Sequence, residues 1–376
     1  MKAMHQRLVA LAAGLVLAAC GGGGADTTPA DTGVKSVKVF GDSLADSGTF
    51  GIKFTVQGSD SLIYPERVAR SYGLGLCNFY VFTGTTFAAN SKAGCTNYAI
   101  GGAVINHSNA ADPRGIPLQL ATAGSFSAND LLVIDGGGND AAALVGAYLN
   151  APKDQAASYA ALLGTLLTPT QVGTALAGGA AGMANVGGTY MQALAAKFYN
   201  SIKTSALDKG AKRVVVLNMP GITNTPRFQF VLDAIAAASG GGTAGAAARA
   251  QAEALFKGWV VTFNNELATR FEGDARVVVV DFYTAFNDQI ATPAQFSLTN
   301  VKTPACPITG LGSDGLPSYN FATCTATALS AAPPVGASGA DWWKSYAFSD
   351  SFHPTPYGHQ LLAQLISKSL AIKGWL

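Results

Sequence analysis

A serine, a histidine and an aspartate in this 376-residue sequence have the neighbours expected of a nucleophile, its base and the carboxylate that orients the base. Ser43 lies just after the apolar run at residues 34–40, where an open α/β sheet would present a nucleophile. Asp350 precedes His353 by three positions and could fix its tautomer and stabilise its charged form. These residues indicate catalysis by a serine nucleophile, although Ser43 considered alone is better explained as a helix N-cap.

The other histidines are weaker candidates for the base. The sequence contains four, at positions 5, 107, 353 and 359. His5 belongs to an N-terminal leader, and we expect His107 to lie in a loop with no assigned role. We expect His359 to face solvent from the last helix. His353 is therefore the predicted base, because it has a carboxylate nearby on its own loop.

Two glycine-containing segments offer hydrogen-bond donors for a developing oxyanion. Asn97-Tyr98-Ala99-Ile100-Gly101-Gly102-Ala103 contains paired glycines, which let backbone N–H groups approach a ligand closely, although a plain turn explains them equally well. Asp135-Gly136-Gly137-Gly138-Asn139-Asp140 follows a second apolar run, and the Asn139 amide could donate to an oxyanion. The second segment also fits a loose dinucleotide-binding pattern. That pattern normally opens the first strand–helix unit, and here it does not.

Taken together and in this order, the segments resemble the GDSL family of esterases and lipases, also called SGNH hydrolases. Gly41-Asp42-Ser43-Leu44 is similar to the block that gives the family its name, and residues 97–103 are similar to the second block. Gly137-Gly138-Asn139-Asp140 resembles the third block and Asp350-x-x-His353-Pro354 the fifth. The resemblance extends from residue 34 to about residue 372.

The resemblance implies a role for each residue. Ser43 would be the nucleophile and would also donate its N–H to the oxyanion. Gly102 would donate a second backbone N–H, and Asn139 would donate from its side chain. His353 would be the base and Asp350 its partner. The implied reaction is hydrolysis of an acyl ester or lipid, without a metal or organic cofactor.

Other functions remain open at this point. The same site would serve a lysophospholipase or an acyltransferase. A non-catalytic surface lipoprotein could use the fold for binding, although the complete set of site residues argues against it. An oxidoreductase that binds a nicotinamide cofactor at residues 136–141 is a further alternative. It would be excluded if those residues face the pocket of Ser43.

The elements that must position these residues alternate between strands and helices. Apolar runs rich in β-branched residues predict strands at residues 34–40, 131–135, 213–218 and 276–281. Helical spacing relates Met191, Leu194, Phe198 and Ile202, and also Leu255, Trp259, Phe263, Leu267 and Phe271. Thr355 and Pro356 mark the start of the last helix. The pattern predicts a three-layer α/β/α sandwich with a parallel sheet, for which the family resemblance implies five strands.

We expect a single domain at residues 34–376 with two departures from the regular alternation. Residues 141–188 are rich in alanine and glycine and predict a helical insertion. Residues 282–348 predict a long loop that is functional or held in place by a disulfide. Aromatic residues near its end would either line an acyl-binding groove or pin the loop to the core: Trp342, Trp343, Tyr346 and Phe348.

Four cysteines remain after the leader, and their even number predicts two disulfides in an oxidising compartment. They are Cys77, Cys95, Cys306 and Cys324. Three pairings are possible, of which the nearest-neighbour pairing closes two short loops. A metal site is disfavoured, because the sequence has no C-x-x-C pair and no histidine at ligand spacing.

The N-terminus predicts export. Residues 1–19 combine a basic start with a short apolar stretch, as in a signal peptide, and Cys20 stands where a bacterial lipoprotein is lipidated. Residues 20–33 would form a flexible tether to outer-membrane lipid, or the protein would be secreted. The net charge of +2, with no lysine or arginine run, argues against nucleic-acid binding. We predict no transmembrane helix.

Overall fold

The computed structural model describes residues 33–376, and its strands and helices alternate as the sequence predicts. The strands are β1 (Ser36–Phe40), β2 (Tyr80–Phe82), β3 (Phe87–Ala89), β4 (Asp130–Ile134), β5 (Arg213–Leu217), β6 (Val277–Val280), β7 (Ile308–Leu311) and β8 (Pro317–Tyr319). The α-helices are α1 (Tyr64–Ser71), α2 (Ile116–Thr122), α3 (Gly138–Asn150), α4 (Ala157–Leu163), α5 (Pro169–Ala177), α6 (Gly179–Ser205), α7 (Pro226–Ala238), α8 (Gly242–Phe271), α9 (Phe282–Ala291), α10 (Ala326–Ala331) and α11 (Pro356–Ile372).

The central sheet is parallel and lies between two layers of helices. Its strand order is β1-β4-β5-β6, while β2–β3 and β7–β8 are separate antiparallel hairpins. Val214 and Val216 of β5 pack in one core with residues of α6 and α8. Val215 and Leu217 of the same strand pack in a second core with residues of α1 and α11. Side chains of one strand thus enter both cores, which confirms the α/β/α sandwich.

The sheet of the described residues has four strands, whereas the family resemblance implies five. Beside β1, where a fifth strand would lie, Asn97 makes a single parallel bridge to Val39. Val39 N–H donates to Thr96 O at 3.0 Å, and Tyr98 N–H donates to Val39 O at 2.8 Å. The Asn97 side chain donates to Ala45 O at 2.7 Å. Ile100 N–H also donates to Gly41 O at 3.2 Å, but Gly41 N–H donates to Gln119 Oε1 at 2.9 Å, so regular pairing ends there.

The alanine- and glycine-rich residues 141–188 are helical, as predicted. They form most of α3, then α4 and α5, and the first part of α6. Trp259 of α8 donates its indole N–H to Ala184 O at 3.0 Å, which joins the two longest helices. The predicted apolar positions of α6 are all buried in the core.

Residues 282–348 contain regular elements, so the prediction of a long loop was wrong for part of this segment. Helix α9 begins directly after β6, and the Asp281 side chain caps it by accepting the Thr284 N–H at 3.1 Å. Phe282 and Phe286 recur at helical spacing on its buried face. The hairpin β7–β8, the helix α10 and the short 3-10 helix Trp342–Ser345 follow. The proline and glycine clusters that suggest a loop lie beyond residue 291, after the end of α9.

The cysteines form two disulfides between nearest neighbours, Cys77–Cys95 and Cys306–Cys324. The second disulfide lies in a small apolar core of its own together with Trp343, and Trp342 and Tyr346 pack against that core. These three aromatic residues therefore pin the segment to the protein, which is one of the two roles expected of them.

None of the helices in residues 33–376 is both long and apolar enough to cross a membrane. The predicted signal peptide, Cys20 and the predicted tether up to residue 32 lie outside the described residues.

Candidate active site

Ser43, His353 and Asp350 form a continuous chain of hydrogen bonds. The Nε2 atom of His353 lies 2.7 Å from Ser43 Oγ, although the two residues are 310 positions apart in the sequence. On the other side of the ring, Nδ1 lies 2.9 and 3.0 Å from the two carboxylate oxygens of Asp350. This arrangement lets the imidazole accept the serine proton while the carboxylate holds Nδ1–H.

Asp350 is buried and kept charged by its neighbours. Its Oδ1 accepts the backbone N–H groups of Phe352 at 2.8 Å and His353 at 2.6 Å. Burial alone would raise the pKa of Asp350, but the His353 imidazole and these donors outweigh it and lower the pKa below its usual value. A charged Asp350 is the form that stabilises an imidazolium at His353.

The loop of Asp350 and His353 is fixed at both ends. Ser349 N–H donates to His353 O at 2.7 Å, which closes the loop on itself. Thr355 caps α11, as predicted, and its side chain accepts the Gly358 N–H at 3.2 Å. The His353 ring packs against Phe54 and Phe321, with ring centroids 5.2 and 5.7 Å away.

Ser43 is positioned by the turn at the end of β1. A Cβ atom on Gly41 would lie 1.8 Å from Asp135 Oδ1, so only glycine fits at this position. Asp42 N–H donates to Asp135 Oδ1 at 2.9 Å, and Leu44 N–H donates to Asp42 Oδ1 at 3.0 Å. A hydrogen bond from the backbone of Asp42 to the Asp135 side chain thus ties the turn after β1 to the chain just after β4.

Asp42 and Asp135 are both buried close to Ser43. Burial, with a smaller contribution from the nearby Asp135 carboxylate, raises the pKa of Asp42 to about 8. Burial also raises the pKa of Asp135, although the Tyr64 hydroxyl donates to its Oδ2 at 2.7 Å and counteracts part of this effect. The pair therefore holds a proton at neutral pH. The role of Asp135 and Tyr64 has no signature in the sequence, because it depends on contacts between distant segments.

The two glycines of the second segment differ in what their N–H groups do. Gly101 is buried, and its N–H donates to Asp46 Oδ2 at 2.8 Å. Gly102 is exposed and has a left-handed backbone with φ of 79°. Among the described residues its N–H has no hydrogen-bond partner. Gly102 is thus the one of the two glycines that can offer its N–H to a ligand.

Asn139 is half-buried near the start of α3, and it is tied to the second segment. Its Nδ2 donates to Ala103 O at 2.9 Å, which uses one of the two amide hydrogens and leaves the other. The neighbouring Asp140 carboxylate accepts the N–H groups of Ile105 and Asn106, each at 2.9 Å. These bonds hold the two predicted donor segments together.

Gly136 and Gly138 line the same cavity as Ser43. The segment of residues 135–140 therefore faces the pocket of Ser43, which disfavours its interpretation as a dinucleotide-binding loop. Phe348 lines this cavity as well and is also buried in the second core, so a role for it in an acyl-binding groove stays a prediction.

His359 is buried, so the prediction that it faces solvent was wrong. Its Nδ1 accepts the Tyr64 N–H at 3.3 Å, and burial lowers the pKa of His359 to about 3. Positions 359, 362, 363, 366 and 370 are buried along one face of α11. That spacing in the sequence places His359 on the apolar face.

His107 lies in a loop, as expected. Its Nδ1 lies 2.9 Å from Asn109 O, and its Nε2 lies 3.6 Å from Asp112 Oδ2.

Comparison with known proteins agrees with the geometry. A family model described as GDSL-like lipase/acylhydrolase matches residues 37–366. Lipase 1 of Photorhabdus luminescens is 26% identical over 353 residues, which cover 87% of this chain and 48% of the relative. This chain thus spans about half the length of that curated relative. The match includes the segments of Ser43 and His353, and the chain belongs to the GDSL-like lipase/acylhydrolase family.

Proposed function

We propose that this protein is a carboxylester hydrolase that works through an acyl intermediate on Ser43. The observation that carries the proposal is the unbroken hydrogen-bonded chain from Asp350 through His353 to Ser43 Oγ. The family description and the name of the Photorhabdus relative support an ester or lipid as the substrate.

In the first half of the reaction, Ser43 Oγ attacks the carbonyl carbon of the ester while His353 Nε2 takes the hydroxyl proton. Asp350 stabilises the imidazolium that results. The carbonyl oxygen becomes an oxyanion, held by the N–H groups of Ser43 and Gly102 and by the Asn139 amide. One such donor contributes about 3 kcal/mol to the stability of the transition state.

The tetrahedral intermediate then collapses. The bond to the alcohol oxygen breaks, and His353 gives its proton to the departing alcohol. In the second half, a water molecule attacks the acyl-Ser43 ester while His353 takes a proton from the water. The acid leaves, and Ser43 recovers its proton from His353. No step of this proposed reaction requires a metal or an organic cofactor.

Acyl esters of small alcohols or of lipids are the proposed substrates. Transfer of the acyl group to an alcohol would use the same steps with the alcohol in place of water, so a lysophospholipase or an acyltransferase is the alternative. The direct test is hydrolysis of p-nitrophenyl esters by the wild type and by Ser43→Ala. We expect the variant to fold, as judged by circular dichroism, and to lose turnover. Turnover retained by the folded variant would refute the proposal.

We also propose that the protein is exported and anchored to outer-membrane lipid through Cys20, or else secreted. The support is the N-terminal sequence, and two disulfides are typical of an oxidising compartment. Metabolic labelling with palmitate tests the anchor in whole cells. Label that is lost in Cys20→Ala supports it, and label that survives this substitution contradicts it.

A further inference from the structure

A small cavity opens beside the nucleophile, above the ends of the central strands. Its volume is about 50 Å³. Residues from five different segments line it, among them Ser43. Most of the lining side chains are apolar, including Leu217, Ile222, Phe282, Phe286 and Phe352. A cavity of this composition takes a hydrocarbon group more readily than a polar one.

Three aromatic rings form one wall of the cavity and hold one another in place. Phe282 and Phe286 lie one turn apart on α9, with ring centroids 5.8 Å apart. The ring of Phe348 meets that of Phe286 edge-on at 6.0 Å. All three side chains are buried. The wall is therefore a fixed surface, because buried rings in edge-to-face contact have little freedom to move aside.

The position of the cavity indicates which half of an ester it would receive. The alcohol must leave beside His353, which protonates it. Phe54 and Phe321 pack on His353, and in the described part of the chain neither these two residues nor His353 lines the cavity. Phe352 and Pro354, on either side of His353, do line it, so the cavity passes the catalytic loop and reaches Phe282 and Phe286 of α9. This leaves the Phe54 and Phe321 side of the imidazole for the alcohol and the cavity for the acyl chain.

Two acidic residues also line the cavity, and their charges are largely compensated. Asp135 accepts hydrogen bonds on both oxygens, from Asp42 N–H and from the Tyr64 hydroxyl. Burial raises the pKa of Asp42 to about 8, so this side chain is mostly uncharged at pH 7. The acids are therefore compatible with an apolar ligand.

We propose that this cavity binds the acyl chain of the substrate, that it accepts chains of about four carbons, and that Phe286 limits their length. One water-sized group needs roughly 10–15 Å³ of such space, so the cavity holds about four groups of that size. The inference rests on the proposed ester hydrolysis and specifies the acyl half of its substrate.

Chain-length profiles test this inference. The wild type, Phe286→Ala and Phe286→Leu are compared on p-nitrophenyl esters with acyl chains of two to twelve carbons. We expect the wild type to have its highest kcat/KM near four carbons. Phe286→Ala should raise the ratio of kcat/KM for eight carbons to that for four by about tenfold or more, because each accommodated methylene contributes strongly in an apolar pocket. Phe286→Leu should shift the ratio in the same direction by less.

A second substrate series and a matched variant separate this effect from others. Acetate esters of alcohols of increasing length vary only the leaving group, and we expect Phe286→Ala to leave their relative rates unchanged. Phe82→Ala removes an aromatic ring that is one-third exposed and lies outside the cavity, so it should keep the wild-type profile.

The outcomes distinguish this inference from the proposed function. An acyl profile that is unchanged in folded Phe286→Ala and Phe286→Leu would overturn the acyl cavity while leaving ester hydrolysis intact. A shift confined to the alcohol series would also overturn it. Failure of the wild type to hydrolyse any ester would instead refute the proposed function itself.

Discussion

Asp135 Oδ1 accepts the backbone N–H of Asp42 at 2.9 Å, so a buried carboxyl group just after β4 holds the residue that precedes Ser43 just after β1. The second oxygen of Asp135 is bound by the Tyr64 hydroxyl. The two acids lie close enough for each to influence the protonation of the other. This relationship makes the stability of the protein depend on pH.

Replacing Asp42 by asparagine should remove part of that pH dependence. Burial raises the pKa of Asp42 to about 8 in the folded protein, whereas an unfolded aspartate titrates near 4. The folded state therefore binds the proton more tightly, and the stability that this proton contributes is complete below about pH 4 and is lost as the pH rises towards 8. The side chain at position 42 does not titrate in Asp42→Asn. The free energy of unfolding of this variant relative to the wild type should therefore increase between pH 5 and pH 8.

Urea unfolding of both proteins at pH 5 and pH 8 measures this difference. Asp112→Asn is a matched control. Hydrogen bonds from Arg114 lower the pKa of Asp112 to about 2, so it is charged in the folded state at both pH values. Its effect on the free energy of unfolding should be nearly the same at the two pH values. A constant difference for Asp42→Asn would contradict a raised pKa at Asp42.

Replacing Asp350 by asparagine should impair catalysis far more than folding. An asparagine amide can donate to Nδ1 and favour the wrong tautomer of His353, which removes the base from Ser43. We expect kcat for a p-nitrophenyl ester to fall by about 10³- to 10⁴-fold. Asp341→Asn, at an exposed side chain in the same part of the chain, is the control and should keep wild-type kcat. A loss of less than tenfold in Asp350→Asn would show that Asp350 does not orient the base.

Replacing Asn139 by alanine should lower kcat by about 10²- to 10³-fold with little change in KM, because the amide would bind the oxyanion mainly in the transition state. Asn150→Ala at the other end of α3 changes an amide that contacts Asp154, and it should have no such effect. Thermal unfolding of both variants measures how much stability is lost with the hydrogen bond from Asn139 Nδ2 to Ala103 O, separately from any effect on kcat. Equal kcat in Asn139→Ala and the wild type would remove Asn139 from the oxyanion site.

The sequence was sufficient to predict the features that depend on local pattern. Apolar runs predict the four strands of the sheet, most clearly the unbroken β-branched runs of β5 and β6, and Thr355 with Pro356 marks the start of α11. The family resemblance of the Ser43 and His353 segments implies that the two side chains meet, and Ser43 Oγ lies 2.7 Å from His353 Nε2.

Features that arise from long-range packing could not be predicted in this way. The cavity wall joins Phe286 of α9 to Phe348, and no spacing in the sequence relates these two residues. Tyr64 reaches Asp135 across 71 positions. The burial of His359 is different, because the apolar spacing of α11 in the sequence does indicate it.

Labelling with a fluorophosphonate probe, followed by intact mass and peptide mapping, tests the central claim most directly. Such a probe reacts with a serine that a neighbouring base activates. We predict one adduct per chain, located on Ser43, absent in Ser43→Ala and unchanged in Ser47→Ala, which alters a nearby serine on the same loop. An adduct on another residue, or labelling that persists in Ser43→Ala, would contradict the account.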